Sequence, residues 1–201
     1  MTCAEQAEAK AKEELSRCNR DTYLSRIKRT SSLIIVFLTI NACEKHAQIT
    51  YEQGLAICDS LLKQRQEESG TEFVFIGRDC IVGAVAPQFT TSTIDGNVVD
   101  KEYFKGKVSV VNFWFITCPP CVAEIPVFND MVGKFGTEDV NFLAIGRDRK
   151  DDVDEFLIEH PWQFDHIANG RTLIEETFRM RWGYPTTFIL DKNATIVAVL
   201  H

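Results

Sequence analysis

Positive charge is what this sequence has little of. Lys and Arg number 22 against 29 Asp and Glu, a net charge of -7, and no basic stripe is interleaved with aromatics. Binding a phosphate backbone takes clustered cations, so nucleic acid is excluded as a partner. Long apolar runs are lacking too. Residues 33–40 form an apolar run of about eight, far short of the roughly 20 that a membrane-spanning helix needs. There is no internal repeat and no low-complexity tract. A zinc site built on a C-x-x-C would need two further ligands at zinc spacing, and neither the remaining cysteines nor the four His supply them.

What is present is an ordinary globular composition, 45% hydrophobic and 25% charged, with seven cysteines. At 201 residues the chain has room for one full domain plus an extension. Residues 108–126 organise it: V-S-V-V-N-F-W-F-I-T-C-P-P-C-V-A-E-I-P. The β-branched run Val108, Val110, Val111 and Phe113 reads as a strand buried on both faces. It breaks at Thr117 into Cys118-Pro119-Pro120-Cys121, and a helical pattern continues through Phe128, Met131, Val132 and Phe135. A strand that delivers a Cys to the first turn of a helix favours thiolate over thiol, because free N–H groups and partial positive charge gather there.

The N-terminal third reads differently. Residues 1–24 are polar and helix-forming. Arg26, Lys28 and Arg29, the apolar run and Asn41-Ala42-Cys43 then resemble a bacterial lipoprotein signal, in which Cys43 would carry the lipid. The long polar lead before Arg26 is unusual for such a signal and points to a start site nearer residues 23–29. Residues 44–70 read as one amphipathic helix, with Tyr51, Leu55, Cys58 and Leu62 on its apolar stripe. Phe73 to Ile76 reads as a short strand, and residues 44–83 together as a stalk or cap. The expected state of Cys58 is a packed thiol, with a bridge to Cys80 as the sharper alternative.

From Ala86 the pattern becomes that of a separate domain, residues 84–201. Phe89–Ile94 and Val98-Val99 flank Asp95-Gly96-Asn97 as a hairpin, and a helical turn covers 100–104. Residues 140–145 read as a second buried strand and 151–160 as a helix with acids in its first turn. A short strand over 164–167, a helix over 172–179 and a closing hairpin of strands 186–190 and 195–200 complete the pattern. Strands alternating with helices predict an α/β fold with a central mixed sheet flanked by helices.

Three motifs in order make the pattern specific: A-P-Q-F…D-G; G-K-V-S-V-V-N with F-W-x-x-x-C-P-P-C-x-x-E-I-P; and G-Y-P-T-T-F-I-L-D. Over roughly residues 84–201 the chain resembles the TlpA/ResA-like branch of the thioredoxin superfamily, a redoxin or AhpC/TSA-like domain. The resemblance implies a thioredoxin-like fold and thiol–disulfide exchange with no cofactor. Cys118 would be the exposed nucleophile and Cys121 the resolving thiol. Glu124, one turn beyond Cys121, would assist proton transfer or substrate recognition. Tyr184-Pro185 would form a cis-proline loop facing the cysteines, beside Pro119 and Pro120, with Trp114 packed beneath. The implied clients are disulfide-bonded exported proteins in the cell envelope or periplasm, apocytochrome c among them, with electrons from a membrane thiol–disulfide donor.

Departures from the family are also visible. Thr117 stands where a Trp often precedes the first Cys, and Asn112 where thioredoxins carry a buried Asp. The sequence ends after the last strand, without the usual final helix. Either it is a fragment or that face is capped otherwise, with the helix at 44–70 a candidate. A peroxiredoxin would place a Thr three residues before its reactive Cys, where this chain has Phe115. A Sco-like copper-delivery protein shares the fold but spaces its cysteines C-x-x-x-C, one residue wider, with a later His; His160 and His166 are available here.

Overall fold

The computed structural model describes residues 48–71, 78–136 and 138–201. The lipoprotein-type segment with Cys43 and the expected strand at 73–76 lie outside these residues.

The first helix, α1 (Tyr51–Ser69), starts seven residues later than the periodicity alone predicts. A capping box sets its start. Thr50 accepts from Gln53 N–H at 3.2 Å, and Gln53 Oε1 accepts from Thr50 N–H at 2.8 Å. Gly70, in the left-handed region, closes it. A 3-10 turn (Arg78–Ile81) follows. Strands β1 (Thr91–Ser92) and β2 (Val98–Val99) form a small antiparallel hairpin around Asp95-Gly96, and α2 (Lys101–Phe104) leads into the main sheet.

That sheet has the order β5-β4-β3-β6-β7. Its central strand β3 (Val108–Trp114) pairs in parallel with β4 (Val140–Gly146) and antiparallel with β6 (Thr186–Leu190). On the outer sides β5 (Asp165–Ile167) runs parallel to β4, and β7 (Ile196–Leu200) antiparallel to β6. Helices α3 (Pro119–Phe135), which carries Cys121, and α4 (Lys150–Glu159) complete the regular elements.

Alternation along β3 separates two cores, because successive side chains point to opposite faces. Val108, Val110 and Trp114 pack with Ile125, Phe128 and Met131 of α3 and with Val153 of α4. Val111 and Phe113 pack with Tyr51, Leu55 and Cys58 of α1 and with Ile174, Phe178 and Phe188. The amphipathic helix is therefore laid on the sheet face opposite α3.

Two expectations are corrected here. Residues 172–179 do not form a regular helix: Leu173–Thr177 is a π turn, closed by Phe178 N–H to Leu173 O at 2.9 Å. The wide turn seats Phe178 among the rings of Tyr51, Phe89, Phe113 and Phe188, and Tyr51 Oη donates to its carbonyl at 2.7 Å. Cys58 is not a packed thiol but is bonded to Cys80, with the α-carbons 5.1 Å apart. The close approach has a cause in Gly54, where a Cβ would come within 2.8 Å of Ala84 Cβ. Without a side chain there, α1 settles onto the segment that carries Cys80, Ile81 and Ala84.

Candidate active site

Sheet register assembles the site. The last residue of β3, Trp114, lies opposite Gly146 at the end of β4, and Phe113 lies opposite Thr186 at the start of β6. Three loops therefore leave one edge of the sheet side by side: 115–118 from β3, 147–149 from β4, and 183–185 into β6. Sites at the carboxyl ends of parallel strands are the rule in α/β sheets.

The first loop turns tightly, with Cys118 N–H donating to Phe115 O at 3.1 Å. Asp148 pins it by accepting from Ile116 N–H at 2.7 Å, and Arg147 N–H donates to Trp114 O at 3.2 Å. Cys118 is the N-cap of α3 in extended conformation, with Pro119 and Pro120 as the first two helical residues. Prolines suit these positions because φ is already set and their missing N–H groups would have no helical partner. Cys121 N–H donates to Cys118 Sγ at 3.3 Å, and the two sulfurs form a disulfide with the α-carbons 5.3 Å apart.

The sulfur environment differs from expectation in one respect. Cys118 is 3% exposed and Cys121 1%, so the nucleophile is not open in the oxidised form. Both belong to the apolar cluster of Trp114 and Ile125, with Phe115, Ile116 and Tyr184 packed against it. Around the buried disulfide the accessible surface comes from Thr117, Pro119 and Pro120, which are exposed.

The third loop carries a cis Tyr184–Pro185 bond, with Pro185 buried and Thr186 Oγ1 bonded to Gly183 O at 2.8 Å. Burial pushes the Tyr184 hydroxyl pKa up; the Arg147 and Arg171 guanidinium groups oppose that shift and Glu175 adds to it. Trp114 is buried against Trp162, Phe156 and His166, with ring centroids 5.0, 5.3 and 5.9 Å away. Gly146 makes room for it, since a Cβ there would lie 3.2 Å from Trp114 Nε1. Glu124 sits on α3, half-buried, with Oε2 shielded from solvent. Asn112, within β3, is buried, its Nδ2 donating to Thr187 Oγ1 at 2.9 Å while its Oδ1 accepts no bond.

Both histidines considered for a metal role are accounted for in other packing. His160 lies against Phe156 with the rings tilted, centroids 4.5 Å apart, and His166 is buried, its Nε2 3.2 Å from the Trp162 carbonyl. Among the described residues no group of three or more His, Cys, Asp or Glu is placed to hold a metal ion.

Arg147 and Asp148 were not singled out in the sequence. Their signal was positional: a G-R-D step ending a buried parallel strand that neighbours the strand feeding Cys118.

Comparison with known proteins shows the family. Relatives include the thiol-disulfide oxidoreductase ResA of Bacillus thuringiensis subsp. konkukian, 28% identical over 117 residues. That alignment covers 58% of this chain and 67% of the relative. ResA of Geobacillus thermodenitrificans is 27% identical over 120 residues, covering 59% and 68%. Among solved structures, the thioredoxin domain of a thiol-disulfide oxidoreductase from Bacteroides vulgatus matches with a TM-score of 0.53 at 26% identity, covering 59% of this chain and 86% of that one. A thiol:disulfide interchange protein from Bacteroides sp. matches at 0.50 and 26%, covering 57% and 78%. The AhpC/TSA family model matches residues 82–199, more than half of the chain. The chain therefore belongs to the AhpC/TSA family, and within it is a ResA-like thiol–disulfide oxidoreductase of thioredoxin fold.

Proposed function

We propose that the chain reduces disulfides in exported proteins through the Cys118–Cys121 pair. The observation that carries this reading is the placement of that pair at the start of α3, on the sheet edge that also receives the cis Tyr184–Pro185 loop.

In the reduced protein the Cys118 thiolate attacks one sulfur of a client disulfide, and the other client sulfur leaves as a thiolate. A mixed disulfide between Cys118 and the client results. Cys121, losing its proton, attacks Cys118 Sγ, and the second client sulfur leaves. Two electrons pass to the client, which ends as a dithiol, while Cys118 and Cys121 end as the disulfide seen here. Glu124 takes the Cys121 proton, a task that Asn112 cannot perform. Tyr184 and Pro185 offer backbone to the client strand. Pro119 and Pro120 give it an exposed surface, and Trp114 supports the turn from below.

Each turnover leaves the pair oxidised, so a dithiol donor must restore it, and a membrane thiol–disulfide protein is the proposed source. The proposed location is the cell envelope or periplasm, with Cys43 as lipid anchor. The Cys58–Cys80 bridge supports an oxidising compartment, since structural disulfides persist there and are rare in the cytosol. No helix among the described residues is long and apolar enough to cross a membrane. Residues 84–201 form the proposed catalytic domain, with α1 and its bridged turn as a cap. Apocytochrome c, whose haem-attachment cysteines must be reduced, is the proposed client class.

The test is a Cys121→Ser variant expressed in the envelope, which stalls at the mixed disulfide. Client adducts that disappear on reduction, and that fail to form when Cys118 is also replaced by Ser, are the expected result. Adducts that form equally without Cys118 would overturn the reading.

A further inference from the structure

We infer that Arg147 reads the charge of the client, selecting disulfides whose cysteine is flanked by an Asp or Glu side chain. The inference rests on the proposed reading of the site and adds a substrate class to it.

The guanidinium stands where the two client-facing loops meet. Its Cζ lies 5.4 Å from the ring centroid of Phe115, three residues before Cys118. It also lies 5.7 Å from that of Tyr184, the residue whose bond to Pro185 is cis. The two rings touch each other edge to face, centroids 5.2 Å apart. One guanidinium donor is directed at the Tyr184 hydroxyl, and an arginine held against aromatic faces gains from cation–π attraction and keeps its remaining planar donors for a further partner. Its loop is held by Arg147 N–H to Trp114 O and by Ile116 N–H to the Asp148 carboxylate, and the guanidinium by the two rings. Little rotational freedom remains to be lost when a client docks.

Its missing partner is the second observation. In a chain with more acids than bases, Arg179 and Arg181 are paired with Glu52 and Asp59. Arg147, although half-buried, has no carboxylate within ion-pair distance among the described residues, and its Nε is out of solvent and unbonded. A partly desolvated cation without a counter-ion is costly in isolation and strengthens when an anion arrives. Arg171 adds a second positive charge acting on Tyr184, and the exposed Glu175 opposes it. A client strand laid along the Tyr184 backbone would bring the side chain beside its cysteine over this guanidinium, where a carboxylate makes a bidentate pair.

The test uses the full chain, reduced, against three peptides that each contain one disulfide and differ only in a Glu, Gln or Lys beside the cysteine. The expected order of kcat/KM is Glu over Gln over Lys, with about fivefold for each step, the value of a partly screened ion pair. The spread should shrink as salt rises. Arg147→Gln should bring the Glu-to-Lys ratio to near one, and Arg147→Lys should keep its direction. A ratio is read within one protein sample, so partial unfolding of a variant does not move it. Equal reduction of all three peptides by the unaltered protein overturns this inference and leaves the reading of the site standing. Reduction of none of them overturns that reading instead. A Glu-to-Lys ratio unchanged in Arg147→Gln assigns the selectivity elsewhere and overturns the inference about Arg147.

Discussion

Two prolines between the active-site cysteines remove two N–H groups from the turn where a thiolate would be held. The donor that reaches Cys118 Sγ is the backbone of Cys121, at 3.3 Å. The helix start still favours the thiolate, but less than a dipeptide with a donor or a His would. Pro120→His should therefore favour the Cys118 thiolate further and make the pair more oxidising by on the order of 30 mV. Thiolate absorbance against pH and equilibration with a glutathione buffer check this. Glu124→Gln should slow client release by about tenfold or more and flatten the pH dependence of that step, as loss of a general base does. Stopped-flow reduction of a disulfide peptide across pH reads it out.

His166 gives a pH effect on stability rather than on chemistry. Burial lowers its pKa from 6.5, against opposing contributions from the Trp162 carbonyl, Asp165 and Asp95. The unfolded chain takes up the proton first as pH falls, so stability is full above the ordinary value and is lost as pH drops toward the folded-state pKa. Denaturant unfolding at about pH 7.5 and about pH 5.5 should show a drop that His166→Phe abolishes.

At the scale of elements, α1 is held by one covalent link and one missing side chain. Closing a loop of 22 residues by the Cys58–Cys80 bridge is worth roughly 3 kcal/mol. The double variant Cys58→Ala, Cys80→Ala should lose about that much in denaturant unfolding and should lose protection of α1 amides first. Gly54→Ala is a sharper probe. In an open helix the change stabilises by about 1 kcal/mol, whereas here the new Cβ meets Ala84 at 2.8 Å, so it should destabilise by about 1–3 kcal/mol. A gain in melting temperature would contradict the packing described.

The same elements show what sequence reveals and what it conceals. The runs that form β3, β4 and β6 are legible because each is mostly apolar and β-branched and bounded by turn residues. The active-site helix was legible from its prolines and its 3.6 periodicity. The start of α1 was missed because the capping pair Thr50 and Gln53 carries the signal and the apolar stripe does not. The π turn at Leu173–Thr177 has the sequence pattern of a regular helix, because its widening answers to the ring cluster around Phe178, which is formed by residues distant in sequence. The Cys58–Cys80 bridge was one alternative of two, and the deciding contact, Gly54 on Ala84, has no local signature.

At the scale of the whole molecule, the sheet register is what converts sequence motifs into a site. Trp114 opposite Gly146 and Phe113 opposite Thr186 carry the C-P-P-C turn, the Arg147–Asp148 step and the cis-proline loop to one edge. The motifs announced the first and third of these. The second was silent, because the importance of Arg147 comes from the two rings it meets across the fold. A buried sulfur pair, a donor-poor first turn and a structural disulfide elsewhere support the proposed account, a reductant that works where its surroundings are oxidising. The reduction potential of the Cys118–Cys121 couple, measured by equilibration with defined thiol–disulfide buffers, tests that account most directly. It predicts a value below about -180 mV, toward the thioredoxin end of the range. A value near -120 mV, that of a strong oxidant, would contradict it.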